Sequence, residues 1–151
     1  MPFAYLCVLE LNLKTTMKKI AIFASGSGSN AENITQYFSG NPKIKICAFL
    51  SNNPNALVLS RAKTLNIPTL VFSREDFYKS EKVISYLQEL EVDFIVLAGF
   101  LWLLPENILQ KYPNSIVNIH PALLPKYGGK GMYGMNVHKA VVENGDSESG
   151  I

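Results

Sequence analysis

The sequence predicts an α/β fold in which an open, mostly parallel sheet is flanked by helices. Three observations predict it. Short apolar runs alternate with stretches of helical period, the pattern of βαβ units. Several of those runs are continuously apolar, as strands covered on both faces must be. Gly, Ser, Asn and Pro crowd the junctions between runs, where turns belong.

Strand one is Lys19–Phe23, apolar from Ile20 onward. Gly and Ser fill Ser25–Ser29, and a helix follows with Ala31, Ile34 and Phe38 on one face. Ser29 and Glu32 have the spacing of a capping box, so this helix is expected to begin at Ser29. Strand two is Ile44–Leu50, closed by Ser51-Asn52-Asn53-Pro54. Asn53 is expected to cap the next helix with Pro54 in its first turn. Val58, Ala62 and Leu65 give that helix its buried stripe. Thr69–Phe72 is a short third strand after Pro68. Ser73 and Asp76 are spaced as a cap, opening one helix that carries Val83, Leu87 and Leu90 on its buried face. Phe94–Ala98 is a fourth, very apolar strand, expected at the centre of the sheet. Pro105–Gln110 reads as a short helix and Ser115–Ile119 as strand five. Pro121–Asn136, rich in Gly, Pro and Tyr, reads as a loop before a last helix from about Val137 to Glu143.

Composition narrows the function. The 151 residues make one domain, and 48% apolar with 17% charged residues supply a real core. A net charge of +2 is too slight to point to nucleic acid or an acidic membrane surface. The apolar run Phe94–Leu104 is shorter than the ~18 residues a spanning helix needs. Cys7 and Cys47 stand far apart, which suits a reducing compartment, and a cytoplasmic location is expected. The two histidines, His120 and His138, have no Cys or Glu at ligand spacing, so a metal site is not expected. No nucleophile elbow and no P-loop lysine is present.

Three motifs carry chemistry. The first is Ser25-Gly26-Ser27-Gly28-Ser29-Asn30, between strand one and its helix. Glycine lets a backbone come close to an anion, and a helix N-terminus adds free N–H groups and the positive end of a dipole. Ser29 and Asn30 can add side-chain donors. A dinucleotide site asks for a third glycine and an acidic residue ending strand two. Strand two ends instead in Ser51-Asn52-Asn53, so a phosphate monoester fits better, with a plain Gly-Ser turn as the bland alternative.

The second is Asn118-Ile119-His120-Pro121, where strand five ends. Ligands of open parallel sheets bind at the carboxyl ends of strands, and residues i and i+2 share a face. Asn118 can donate to a developing oxyanion, and an imidazole at His120 can move a proton. A structural His beside Pro is the plainer alternative. The third is Leu97-Ala98-Gly99-Phe100-Leu101-Trp102-Leu103-Leu104. It is either ordinary core or an apolar wall for a flat aromatic ligand, read by free backbone groups.

Together, Met17–Ile20, Ser25–Asn30, Leu97–Phe100 and the string Asn118-Ile-His-Pro-Ala-Leu-Leu-Pro-Lys-Tyr127 resemble the phosphoribosylglycinamide formyltransferases, folate-dependent enzymes of purine synthesis. The resemblance covers residues 17–151. It implies the formyltransferase fold, a Rossmann-like sheet incomplete here at the C-terminus, with residues 1–16 as an extension outside the core. It further implies that Gly28, Ser29 and Asn30 hold the phosphate of glycinamide ribonucleotide. Arg74, Leu101, Trp102, Leu103, Leu104 and Asn118 would bind 10-formyltetrahydrofolate, the co-substrate. His120 would be the general acid/base and Asn118 would steady the oxyanion while the substrate amine attacks the formyl carbon directly. That route requires no metal and no covalent enzyme intermediate, and involves neither nucleic acid nor membrane.

The chain departs from the family pattern at Trp102, where many relatives carry Arg. Its loop Tyr127–Asn136 is longer than the family's shorter form, with Met135 and Asn136 where a His is common. The family's catalytic Asp and later phosphate-binding residues are expected beyond Ile151. Three other functions are weighed beside this one. They are another folate-dependent formyltransferase or hydrolase, a non-catalytic phosphate- or folate-binding module, and a nicotinamide-dependent oxidoreductase, which the end of strand two disfavours.

Overall fold

The computed structural model describes residues 17–129, 131–132 and 134–150. The proposed N-terminal extension 1–16, with Cys7, lies outside the described residues. Five strands form one sheet: β1 (Lys18–Phe23), β2 (Ile44–Ser51), β3 (Thr69–Val71), β4 (Phe94–Ala98) and β5 (Ile116–Ile119). Their order is β3-β2-β1-β4-β5, and all four pairings are parallel. The expected α/β class and parallel sheet are therefore present. β4 is interior, between β1 and β5, but β1 is the middle strand.

Side chains of β1 alternate between two cores, as a doubly covered strand requires. Ala21 and Phe23 join Phe72, Phe77, Val83, Leu87, Ile95 and Ile108 on one face. Ile20, Ile22 and Ala24 join Ala31, Phe49, Val58, Ala62 and Val96 on the other. The β1–β2 register slips between Ile20 and Ala21, leaving Cys47 as the extra residue on β2. Its thiol donates to the Ile20 carbonyl at 3.3 Å, so the irregularity costs no buried acceptor.

The helices are α1 (Ser29–Tyr37), α2 (Leu57–Thr64), α3 (Arg74–Tyr78), α4 (Lys82–Glu89), α5 (Glu106–Lys111) and α6 (Met135–Glu143). Four expectations are corrected. Ser29 does not cap α1: Gly28 is the N-cap, with φ +71, and no side chain bonds there. Glu32, the other half of the expected box, pairs instead with Arg61 of α2. Asn53 does not cap α2 either. Its Oδ1 accepts the Asn55 N–H at 2.9 Å in a local turn, and the helix begins after Ala56. The Ser73–Asp76 box does form, with both reciprocal bonds, but the helix it opens ends at Tyr78. Ser80 Oγ donates back to the Asp76 carbonyl at 2.9 Å and accepts from Lys82 N at 3.3 Å, so one expected helix becomes two. The last helix starts two residues early, at Met135, and Val137 and Val141 are its buried face. Among the described residues no helix is long and apolar enough to cross a membrane.

Candidate functional site

Each candidate motif stands at the carboxyl edge of the sheet: Ser25–Gly28 follows β1, Gly99–Leu104 follows β4, and His120 follows β5. The turn after β1 is held from several directions. Ser25, almost fully buried, donates its hydroxyl to Asn52 Oδ1 at 2.7 Å and accepts the Leu101 N–H at 3.0 Å. Its N–H donates to the Gly99 carbonyl, and the Asn53 amide donates to its carbonyl. Val58 N–H donates to the Gly26 carbonyl, and Arg61 Nε donates to that of Ser27 at 2.8 Å.

Gly28 sits where only glycine fits. A Cβ there would lie 2.4 Å from Val58 Cγ2 and 2.8 Å from the Val58 Cα, on a left-handed φ. Ser29 and Asn30, in the first turn of α1, are exposed. Exposed Ser29 and Asn30 thus carry the positive end of the helix to the surface beside the Gly-Ser loop, with the Ser29 N–H 3.5 Å from Ser27 Oγ. Arg61 neutralises Glu32, the one acidic residue in that turn, so no free carboxylate opposes an anion there.

The segment after β4 divides its side chains. Trp102 and Leu104 pack against the core that holds Phe72 and Phe77, while Leu101 and Leu103 are exposed. The Trp102 ring lies 5.9 Å from Phe77 and 6.0 Å from Tyr78. Arg74 reaches over the same surface, its guanidinium 5.2 Å from the Tyr78 ring and 5.6 Å from that of Trp102. Tyr78 holds the segment directly, donating its hydroxyl to the Leu103 carbonyl at 2.9 Å. The result is an aromatic wall with a cation at its rim.

Asn118 pairs with Leu97 across the β4–β5 ladder, and its side chain is exposed. His120 is half-buried, one residue past the strand. Its Nε2 lies 2.8 Å from the Tyr127 main-chain carbonyl. A carbonyl only accepts, so Nε2 carries the proton, and Nδ1 is left as the basic nitrogen of the neutral ring. Among the described residues no hydrogen bond joins Asn118 to His120. Both stand at the end of β5, and Asn118 is opposite the last turn-ward residues of β4.

The arrangement brings the Gly-Ser turn and the aromatic wall together through Ser25, Gly99 and Leu101. Arg74 joins them at the wall. Tyr78, Asn52, Arg61 and Tyr127 hold the candidate site together, and spacing alone did not single them out as such. Asn52 was visible in the sequence only as part of the Ser51-Asn52-Asn53 strand ending, and Tyr127 only as the last residue of the Leu-Leu-Pro-Lys-Tyr string. Among the described residues, no group of His, Cys, Asp and Glu is placed to hold a metal ion.

A family model described as formyl transferase matches residues 18–151. Over 139 residues the chain is 40% identical to the chloroplastic phosphoribosylglycinamide formyltransferase of Arabidopsis thaliana, covering 88% of this chain and 48% of that protein. It is 41% identical over 139 residues to the phosphoribosylglycinamide formyltransferase of Haemophilus influenzae, covering 89% and 63% respectively. Among solved structures, glycinamide ribonucleotide transformylase 1 of Geobacillus kaustophilus superposes with a TM-score of 0.76 at 35% identity, over 88% of this chain and 71% of that one. The chain thus spans between about half and two thirds of the length of these two curated relatives.

Proposed function

The chain belongs to the formyl transferase family, and from that premise we propose that it transfers a formyl group from 10-formyltetrahydrofolate to the amine of glycinamide ribonucleotide, in purine biosynthesis. The observation that carries this is the Leu101 N–H bound to Ser25 Oγ at 3.0 Å. It ties the Gly-Ser turn to the segment that carries the aromatic wall, which supports a phosphate at one end and a flat heterocycle at the other.

Gly28, Ser29 and Asn30 bind the phosphate through the N–H groups and hydroxyl of the first turn of α1. The folate co-substrate fits what lines the other end. Trp102 and Tyr78 offer flat faces, Leu101 and Leu103 exposed apolar surface, and Arg74 a cation for an acidic group. Leu104 backs the wall from the core. When bound, the co-substrate supplies the formyl carbon. Asn118 donates its amide to the formyl oxygen as the attacking amine drives charge onto it. His120 Nδ1 takes the proton the amine loses and returns it to the departing folate nitrogen, so the ring ends as it began. A cytoplasmic setting belongs to the same proposal, in keeping with the buried free thiol of Cys47.

The test is direct. The purified protein is given glycinamide ribonucleotide and 10-formyltetrahydrofolate, and products are identified by mass. Formylated nucleotide with stoichiometric tetrahydrofolate is the expected result. Free formate instead would make the protein a hydrolase, transfer to another amine a different formyltransferase, and tight binding without product a non-catalytic module.

A further inference from the structure

Beyond the groups that would touch the substrates, we infer that Asp146 is a positioning residue for His120, acting through Tyr127. His120 leaves β5 into the segment 121–134, which contains neither helix nor strand among its described residues. Among the described residues, the group bonded to the imidazole there is the Tyr127 carbonyl. Tyr127 is held in turn by its own side chain. The ring is buried against Ala122, Val137 and Val141, and its hydroxyl donates to Asp146 Oδ2 at 2.5 Å. Asn144 Nδ2 donates to the same hydroxyl at 3.1 Å.

Asp146 is itself fixed twice. Its N–H closes the end of α6 by donating to the Val141 carbonyl. Lys126 Nζ donates to both of its carboxylate oxygens, at 2.6 and 2.8 Å. That ammonium, with the Tyr127 hydroxyl, holds the Asp146 carboxyl below the usual range, so it stays an ionised acceptor. The chain of contacts therefore runs from α6 through Asp146 and the Tyr127 hydroxyl to the Tyr127 carbonyl and His120 Nε2. Because the hydroxyl and the carbonyl belong to one residue with a buried ring, fixing the first fixes the second. The consequence is a single tautomer, with Nδ1 always the basic atom.

The inference rests on the proposed role of His120 for its catalytic meaning, but its physical content is measurable without turnover. Protein labelled with 15N-histidine reports each ring's tautomer through two-bond proton–nitrogen correlations, with exposed His138 as the internal control. The unaltered protein is expected to show His120 protonated at Nε2 alone. Tyr127→Phe keeps the buried ring and removes the hydroxyl. Asp146→Ala removes the acceptor, and Asp146→Asn retains an oxygen for the Tyr127 hydroxyl. The first two are expected to admit the Nδ1–H tautomer and to lower kcat about 10–100-fold, the scale of supporting-residue effects, with KM for glycinamide ribonucleotide nearly unchanged. Asp146→Asn is expected to keep most of the Nε2–H form. A His120 spectrum unmoved in both Tyr127→Phe and Asp146→Ala would overturn the inference, whatever happens to kcat. Tautomer shifts in a protein with no formyl transfer would uphold the linkage while removing the proposed function.

Discussion

The Ser25 hydroxyl and the Leu101 main-chain N–H, one after β1 and the other after β4, meet at 3.0 Å. The same hydroxyl donates to Asn52 Oδ1, so a single oxygen ties three strand ends together. Both proposed ligand-binding segments take their position from it.

Ser25→Ala should therefore act on both. Removing the oxygen leaves Leu101 N–H and Asn52 Oδ1 without a protein partner, at a cost of about 1–3 kcal/mol. Chemical denaturation is expected to show that loss. Steady-state kinetics should show KM for the folate co-substrate rising several-fold, because the Leu101–Leu104 segment loses its hold. A stability loss with both KM values unchanged would mean that Ser25 is a core residue and nothing more.

Gly28→Ala and Gly26→Ala should differ sharply. At 28 a methyl meets the Val58 side chain and Cα on a left-handed backbone, whereas at 26 nothing lies within 4 Å. The left-handed conformation alone costs roughly 1–2 kcal/mol, and relief of the clash must push α2 from the turn. Gly28→Ala is expected to lower the melting temperature by several degrees and to weaken phosphate-ester binding in a calorimetric titration. Gly26→Ala is expected to leave the melting temperature within about two degrees, the scale of changes at surface sites free of contacts. Equal effects at the two positions would remove the packing argument.

Much of this arrangement was legible in the chain, for a physical reason. Strands buried on both faces are continuously apolar, so β1, β2 and β4 announce themselves to within a residue. Parallel strands place their ligand-binding turns on one edge, so Ser25–Asn30 and Asn118–His120 could be located without coordinates. Cap geometry was not legible where tertiary contact decided it. The Ser29–Glu32 spacing is that of a capping box, yet Gly28 takes the cap because Val58 crowds the turn, and Glu32 turns to Arg61. Asn53 is drawn into a local turn because its side-chain oxygen accepts the Asn55 main-chain N–H. The tie between His120 and Tyr127 depends on how 121–126 folds back, and no periodicity encodes that.

His120→Ala and Asn118→Ala should separate proton movement from binding. Loss of the imidazole is expected to lower kcat by about 10²–10⁴-fold, the range of general acid–base help. Affinity for a phosphate-bearing substrate analogue should be kept, because His120 follows β5 and the proposed phosphate turn follows β1. Asn118→Ala is expected to lower kcat by about 10²-fold, as for loss of an oxyanion donor. Quantitative product analysis on both variants checks this. Full activity in His120→Ala would end its assigned role.

Acid should weaken the protein through a particular carboxylate, Asp93. It accepts the Lys19 main-chain N–H at 2.9 Å and the Lys18 ammonium at 2.9 Å, closing the start of β1 onto the start of β4. These bonds, the Lys19 N–H first, hold its carboxyl below the usual aspartate range. The sign follows from linkage. A carboxyl whose folded-state pKa is lowered stabilises the fold at pH above its unfolded value, roughly 4. That stability is lost as pH falls through the folded value. Asp76, Glu91 and Asp146 are lowered as well, by Ser73, Lys19 and Lys126 respectively, and add in the same direction. The raised Lys19 and Lys126 act oppositely, their contribution being present at neutral pH and lost only in strong alkali. Melting temperature should thus stay level near neutrality and drop below about pH 4. Asp93→Asn cannot titrate, so its acid limb is expected to be shallower than that of the unaltered protein, and the two curves should converge toward low pH. Parallel curves would mean that the charge on Asp93 adds nothing to its bonds with the Lys18 ammonium and the Lys19 main-chain N–H.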